Sequence, residues 1–307
     1  MRNRTKWLTR TLAAAGIPAL VALSCIEPTG PSPRITEPRV LFVSNRDGND
    51  EIYSMNSDGT NVMRLTDNAA RDYRPSWHPE GTAVVFISER SGNRDVWIMN
   101  ADGTGLRNLT NDPSIDDNAA WSTDGSRVVF SSNRLGNHEL FVIEADGSNA
   151  TTPQRLTDHF AFDTWPAYSP DGRFITFQAD RNSVNDDIFV LFNTTNEVTR
   201  LTTAGGHDQN PVWAPDGTKV AFTSARDGNL EIYTLDFVFF PVQAPNQVNL
   251  TNNPATDARP SFSNNGRQIC FVSNRSGNNE IWLMNADGTN PVRITNSDAS
   301  DFDCSIK

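Results

Sequence analysis

A phenylalanine closes a short apolar run at Phe42, Phe86, Phe130, Phe177, Phe222 and Phe271, at intervals of 44, 44, 47, 45 and 49 residues. The same punctuation follows each run. SNRDGNDEIYSMNSDGTNVMRLT in the first unit becomes SERSGNRDVWIMNADGTGLRNLT in the second and SNRSGNNEIWLMNADGTNPVRIT in the sixth. Repetition at such a period means that one supersecondary unit is copied, because no single unit can bury its apolar surface alone.

Each unit resolves into four short strands separated by turn residues. The first carries an aromatic residue (Trp77, Trp121, Tyr168, Trp213, Phe262) and ends in a tight turn such as Pro170-Asp171-Gly172. The second is the Phe-ended run, and a loop of the form Arg-x-Gly-Asn follows it in most units. The third begins Glu51-Ile52-Tyr53 in the first unit and Glu280-Ile281-Trp282 in the last, and the fourth ends Leu-Thr. Four short antiparallel strands every 40–45 residues or so are the pattern of a propeller blade. A ring of blades also removes the unprotected end sheets. The phase of the repeat predicts how the ring shuts. The chain enters at a second strand, Arg39 to Asn45, and finishes with Asp301-Phe302-Asp303-Cys304-Ser305-Ile306, which aligns with Asp72-Tyr73-Arg74-Pro75-Ser76-Trp77. The expectation is an all-β, six-bladed β-propeller over residues 39–307, closed by pairing of the C-terminal strand with the N-terminal blade.

Repeats of the form Asp-x-x-Pro-Ser-Trp-x-Pro-x-Gly, followed by an apolar run and then Arg-Asp-Gly-Asn-x-Glu-Ile-Tyr, resemble those of the TolB-like propeller family over about residues 39–307. The resemblance implies a binding scaffold in the periplasm and an ion in the tunnel as an option. It also implies a relative of that propeller without the α/β domain that precedes it in TolB.

Residues 1–24 read as an export signal: Arg2, Arg4, Lys6 and Arg10 precede an apolar run from Leu12 to Leu23 that is too short to span a bilayer. The run ends Ala22-Leu23-Ser24-Cys25, which resembles a lipoprotein lipobox and implies lipidation of Cys25. Ile26 in place of Asp favours retention at the outer membrane, facing the periplasm. Residues 25–38 hold four prolines and one glycine, the composition of an extended tether. An oxidising periplasm would permit a bond between the remaining cysteines, Cys270 and Cys304, but nothing local brings them together, and the plainer expectation is two small buried hydrophobes.

Two charged positions recur in every unit. Asp72, Asp116, Asp163, Asp208, Asp257 and Asp301 open the first strands; Arg46, Arg90, Arg134, Arg181, Arg226 and Arg275 follow the second. Both belong to one end of the ring. The expectation is a fold-maintaining ion pair in each unit, tying blade to blade at the tunnel mouth. The alternative is that some of the carboxylates hold a Ca2+ ion in the tunnel. A net charge of −11 with no basic stripe excludes a nucleic-acid footprint.

No G-x-S-x-G elbow, H-E-x-x-H or phosphate loop occurs in the sequence. The expectation is therefore a non-enzymatic monomer with no cofactor that binds a protein or peptide of the cell envelope. The alternative is a metal-dependent carbohydrate-active lyase or hydrolase using His138, His159 and His207. Departures from the repeat mark the partner candidates: Trp165, where other units have Asn or Arg at a tunnel-side position, and Phe237, Phe239 and Phe240 in an insert within the fifth unit.

Overall fold

The computed structural model describes residues 39–181 and 184–307. The export signal, Cys25 and the tether lie outside the described residues. Twenty-four strands, β1 to β24 in chain order, form six four-stranded antiparallel sheets. Blade one is β24 (Asp301–Ile306), β1 (Arg39–Ser44), β2 (Glu51–Asn56) and β3 (Met63–Arg64), from the inside outward. Blades two to six are β4–β7 (72–108), β8–β11 (116–155), β12–β15 (163–200), β16–β19 (208–249) and β20–β23 (257–293).

The strand alternation buries one phenylalanine per blade at the centre of the second strand. Phe42, Phe86, Phe130, Phe177, Phe222 and Phe271 are all fully buried. Each phenylalanine faces one adjoining blade and its neighbours along the strand face the other, so core clusters cross from blade to blade, as where Val128 and Phe130 of blade three meet Val85 and Ile87 of blade two. Full exclusion from water on both sides of every blade explains why the second strands read as unbroken apolar runs.

Closure occurs as the phase of the repeat predicts. Leu41 of β1 pairs with Ser305 of β24, and Ser44 pairs with Asp301. The same register shift interrupts all six innermost strands between the second and fifth positions. At each shift one residue takes a left-handed backbone: Arg74, Asn118, Trp165, Asn210, Arg259 and Asp303, with φ between 53° and 57°. A proline follows in four of them (Pro75, Pro166, Pro211, Pro260), where the ladder is already broken and no N–H is required.

The cysteine expectation is corrected. Cys270 of β21 (Gln268–Ser273) and Cys304 of β24 form a disulfide, with Cα atoms 6.4 Å apart and a sequence separation of 34. The two strands become neighbours only when the C-terminal strand joins blade one beside blade six. That juxtaposition is a property of the closed ring and has no local trace.

Candidate functional site

The repeated charges sit where the sequence places them but do a different job. All six aspartates are fully buried. Each pairs with the arginine of its own blade: Arg134 with Asp116 at 3.0 Å, Arg226 with Asp208 at 2.8 Å, and Arg46 with Asp301 at 2.9 Å, the last across the closure. Arg90–Asp72, Arg181–Asp163 and Arg275–Asp257 complete the set. The pairs therefore lock the first strand of a blade to the loop after its second, and do not tie blade to blade. Each guanidinium also lies over the phenylalanine of the second strand; that of Arg134 is 5.4 Å from the Phe130 centroid and 5.1 Å from Phe141. In five blades Nε donates to a serine two residues earlier, such as Ser132. Blade four has Ala179 there, and Arg181 turns Nε to Asp163 at 2.9 Å instead. Burial lifts the carboxyl pKa of Asp72, Asp116, Asp163, Asp208 and Asp257 above the ordinary range, against the pull of these serine and arginine hydrogen bonds.

The ties between blades come from neighbouring groups. The backbone N–H of each of these aspartates donates to the preceding blade's loop, as from Asp72 to the Asp50 carbonyl at 2.9 Å. The Asn of the Arg-x-Gly-Asn loop spans the crossover into the next blade: Asn137 Nδ2 donates to the carbonyls of His159 and Ala161, both at 2.7 Å. The Leu-Thr endings acquire a role as well. The threonine hydroxyl accepts from the third strand's backbone, as at Val96 N to Thr110 Oγ1 at 3.1 Å. In five blades it donates to a buried carboxylate, as from Thr157 to Glu139 at 2.5 Å and from Thr295 to Glu280 at 2.6 Å.

The channel is lined elsewhere. A cavity of about 370 Å3 runs between the innermost strands, from the register shift to the turns that end these strands. Among the described residues, Asp303 is the one acidic residue along it, and the six buried aspartates are not in its lining. The left-handed residues set its inner limit. Trp165 projects there with the Arg74 guanidinium 4.6 Å and the Arg259 guanidinium 5.6 Å from its ring. Arg74 pairs with Asp117, and Arg259 with Asp303. Prolines line the walls, together with Ala119, Ala167, Asn210 and Ser305.

The fifth-blade insert lies at the turn end of the ring. Val238 and Gln243 exchange backbone hydrogen bonds at 3.0 Å and make a small hairpin. Phe237 is held in the seam of blades four and five, edge-on to Trp213 at 4.7 Å and to Phe174 at 5.3 Å. Phe239 is half exposed beneath the Arg173 guanidinium, and Phe240 is 89% exposed at the tip. Of the four partner candidates, the structure thus places Trp165 in the channel, Phe237 in packing, and Phe239 and Phe240 at the surface near the turn-end rim.

The histidines do not converge. His207 pairs with Asp186 at 3.1 Å, His159 stacks on Phe160, and His138 meets the edge of Phe162. Among the described residues, no group of three or more His, Cys, Asp or Glu side chains is placed to hold a metal ion.

The model of the TolB beta propeller domain matches residues 28–111 and 211–307, more than half of the chain. The chain belongs to the TolB β-propeller family. A TolB homolog of Chlorobaculum tepidum is 44% identical over 46 residues, 15% of this chain and 11% of that protein. Matched stretches span no more than 29% of the curated relatives' lengths. The crystal structure of TolB from Acinetobacter baumannii superposes with a TM-score of 0.75 at 19% identity, covering 87% of this chain and 66% of that one. An oligogalacturonate lyase in complex with manganese superposes with a TM-score of 0.57 at 13% identity, covering 85% of this chain and 74% of that one. Identities this low show the shared propeller and nothing of the chemistry.

Proposed function

We propose that this chain is a non-enzymatic scaffold, exported and held on the outer membrane by lipid at Cys25, that grips a protein or peptide segment of the cell envelope at the turn end of its channel. The floor of the channel carries the reading. Trp165 offers an aromatic face, and the two guanidiniums over it are already neutralised by Asp117 and Asp303. Such a floor receives an uncharged side chain more readily than a metal ion or a phosphate, because it has no uncompensated charge to offer either. The cavity's size, about 370 Å3, lies within the range of small-ligand pockets and suits the end or one bulky side chain of a peptide.

The test is a photo-crosslinking amino acid at position 165 in intact cells. An envelope protein is expected to be trapped there, and Trp165→Asn, the residue of blades three and five, is expected to prevent co-isolation of the same protein with the chain. An exported chain that traps nothing at position 165 would sink the reading. Cys25→Ala is expected to release the chain from the membrane fraction without altering what it traps.

A further inference from the structure

A second surface lies at the opposite end of the ring, where the aspartate–arginine pairs sit. In the crossover into blade four, Phe160 is 85% exposed and Phe162 55% exposed; Leu135, in the adjacent loop of blade three, is 59% exposed. The fold does not ask for them. At the position of Phe160 the other units carry Ala69, Pro113, Gly205, Pro254 and Asp298, and at that of Phe162 they carry Arg71, Ile115, His207, Thr256 and Ser300. Five copies of the same loop fold with neither phenylalanine, so fold maintenance cannot account for two exposed aromatic rings in the sixth.

The loop is braced. Asn137 holds the carbonyls of His159 and Ala161, and Phe162 N donates to Asp180 Oδ1 at 3.1 Å. His159 stacks on Phe160 at 4.3 Å between centroids, and His138 contacts Phe162 edge-on at 6.1 Å. Exposed aromatic rings fixed in advance lose little entropy on binding and make effective anchors. The surroundings are acidic. Asp180, whose Oδ1 accepts from Phe162 N, makes no ion pair with a lysine or arginine among the described residues, and the 85% exposed Asp158 shares Arg155 with the buried Glu139.

We propose that this seam of blades three and four docks a protein segment in which apolar side chains alternate with basic ones, independently of whatever occupies the channel at the other end. The apolar side chains would pack on Phe160, Phe162 and Leu135, and the basic ones would meet Asp180 and the exposed Asp158. The ring would then join two partners, one at each end.

The experiment titrates the full mature chain with a labelled synthetic peptide of alternating leucine and lysine, and with its leucine–glutamate twin. The first is expected to bind with an affinity that falls as salt rises, and the second is not. A Phe160→Ala, Phe162→Thr double variant copies Ala69 of the crossover into blade two and Thr256 of the crossover into blade six, so it should melt with the intact chain while binding the lysine peptide about tenfold or more weakly. Equal binding by the double variant, or by the glutamate peptide, overturns the proposal. So does loss in the double variant of binding to phosphatidylglycerol vesicles, with peptide binding unchanged, which would make the surface a lipid contact. A chain that sediments as a dimer and becomes monomeric in the double variant would instead identify the occupant as a second copy.

Discussion

The buried aspartate of each blade shows how one residue serves two neighbours. Its carboxylate is held by an arginine of its own blade, while its N–H caps the loop of the blade before. Removing the arginine leaves a charge in a site fully closed to water, so Arg134→Ala is expected to lower stability by about 3–5 kcal/mol at neutral pH. The pH dependence follows from the raised pKa of Asp116. A folded-state pKa above the unfolded value means that the folded chain holds the proton more firmly. The contribution to stability is therefore full below the unfolded pKa and is lost as pH rises through the folded one. Arg134→Ala should push that pKa higher still, so its cost should shrink as pH falls from 7 towards 5, measured by denaturant unfolding at each pH. A cost independent of pH would mean that Asp116 is not the group left exposed to the loss.

At the scale of the element, the insert of blade five separates packing from display. Phe237 fills the seam beside Trp213 and Phe174, whereas Phe240 touches water over most of its surface. Phe237→Ala is expected to cost about 2 kcal/mol, less than a fully buried phenylalanine because the ring is only partly enclosed. Phe240→Ser should change stability by no more than about 0.5 kcal/mol. Thermal unfolding of the two variants distinguishes them, and equal losses would show that the hairpin folds back over its own tip. The loops of the other end show the same division, since the Asn of each Arg-x-Gly-Asn loop fastens a crossover while the residues around it vary freely.

For the whole molecule, closure carries the stability. Strand β24 covers the inner edge of β1 and brings Cys304 to Cys270. Deleting residues 301–307 removes a whole strand together with the partner of Arg46, and the ring is expected to lose its cooperative transition altogether. Breaking only the cross-link, by Cys270→Ser with Cys304→Ser, is a smaller insult. With the cysteines separated by 34 positions, the loop-closure argument gives a loss of about 3–4 kcal/mol. Calorimetry of both forms checks the order. A truncated chain that melts like the intact one would mean that the blades are held independently of their closure.

The sequence by itself determined the number of blades, the strand order within each and the strand that shuts the ring, because these are written in local alternation and in a phase that repeats six times. It also marked the recurring arginines and the buried aspartates, since a residue needed once per blade appears once per blade. Only the tertiary structure decided which aspartate each arginine meets, that Cys270 reaches Cys304, that the carboxylates stay out of the channel, and that Phe160 and Phe162 stand together on the far end from Phe240. Each of these depends on which blades become neighbours and which way a loop leaves its strand. The physical reason is that periodicity encodes the contacts a unit makes with its own copy, whereas a site arises where the copies differ, and the meeting of such differences in space is fixed only when the ring closes.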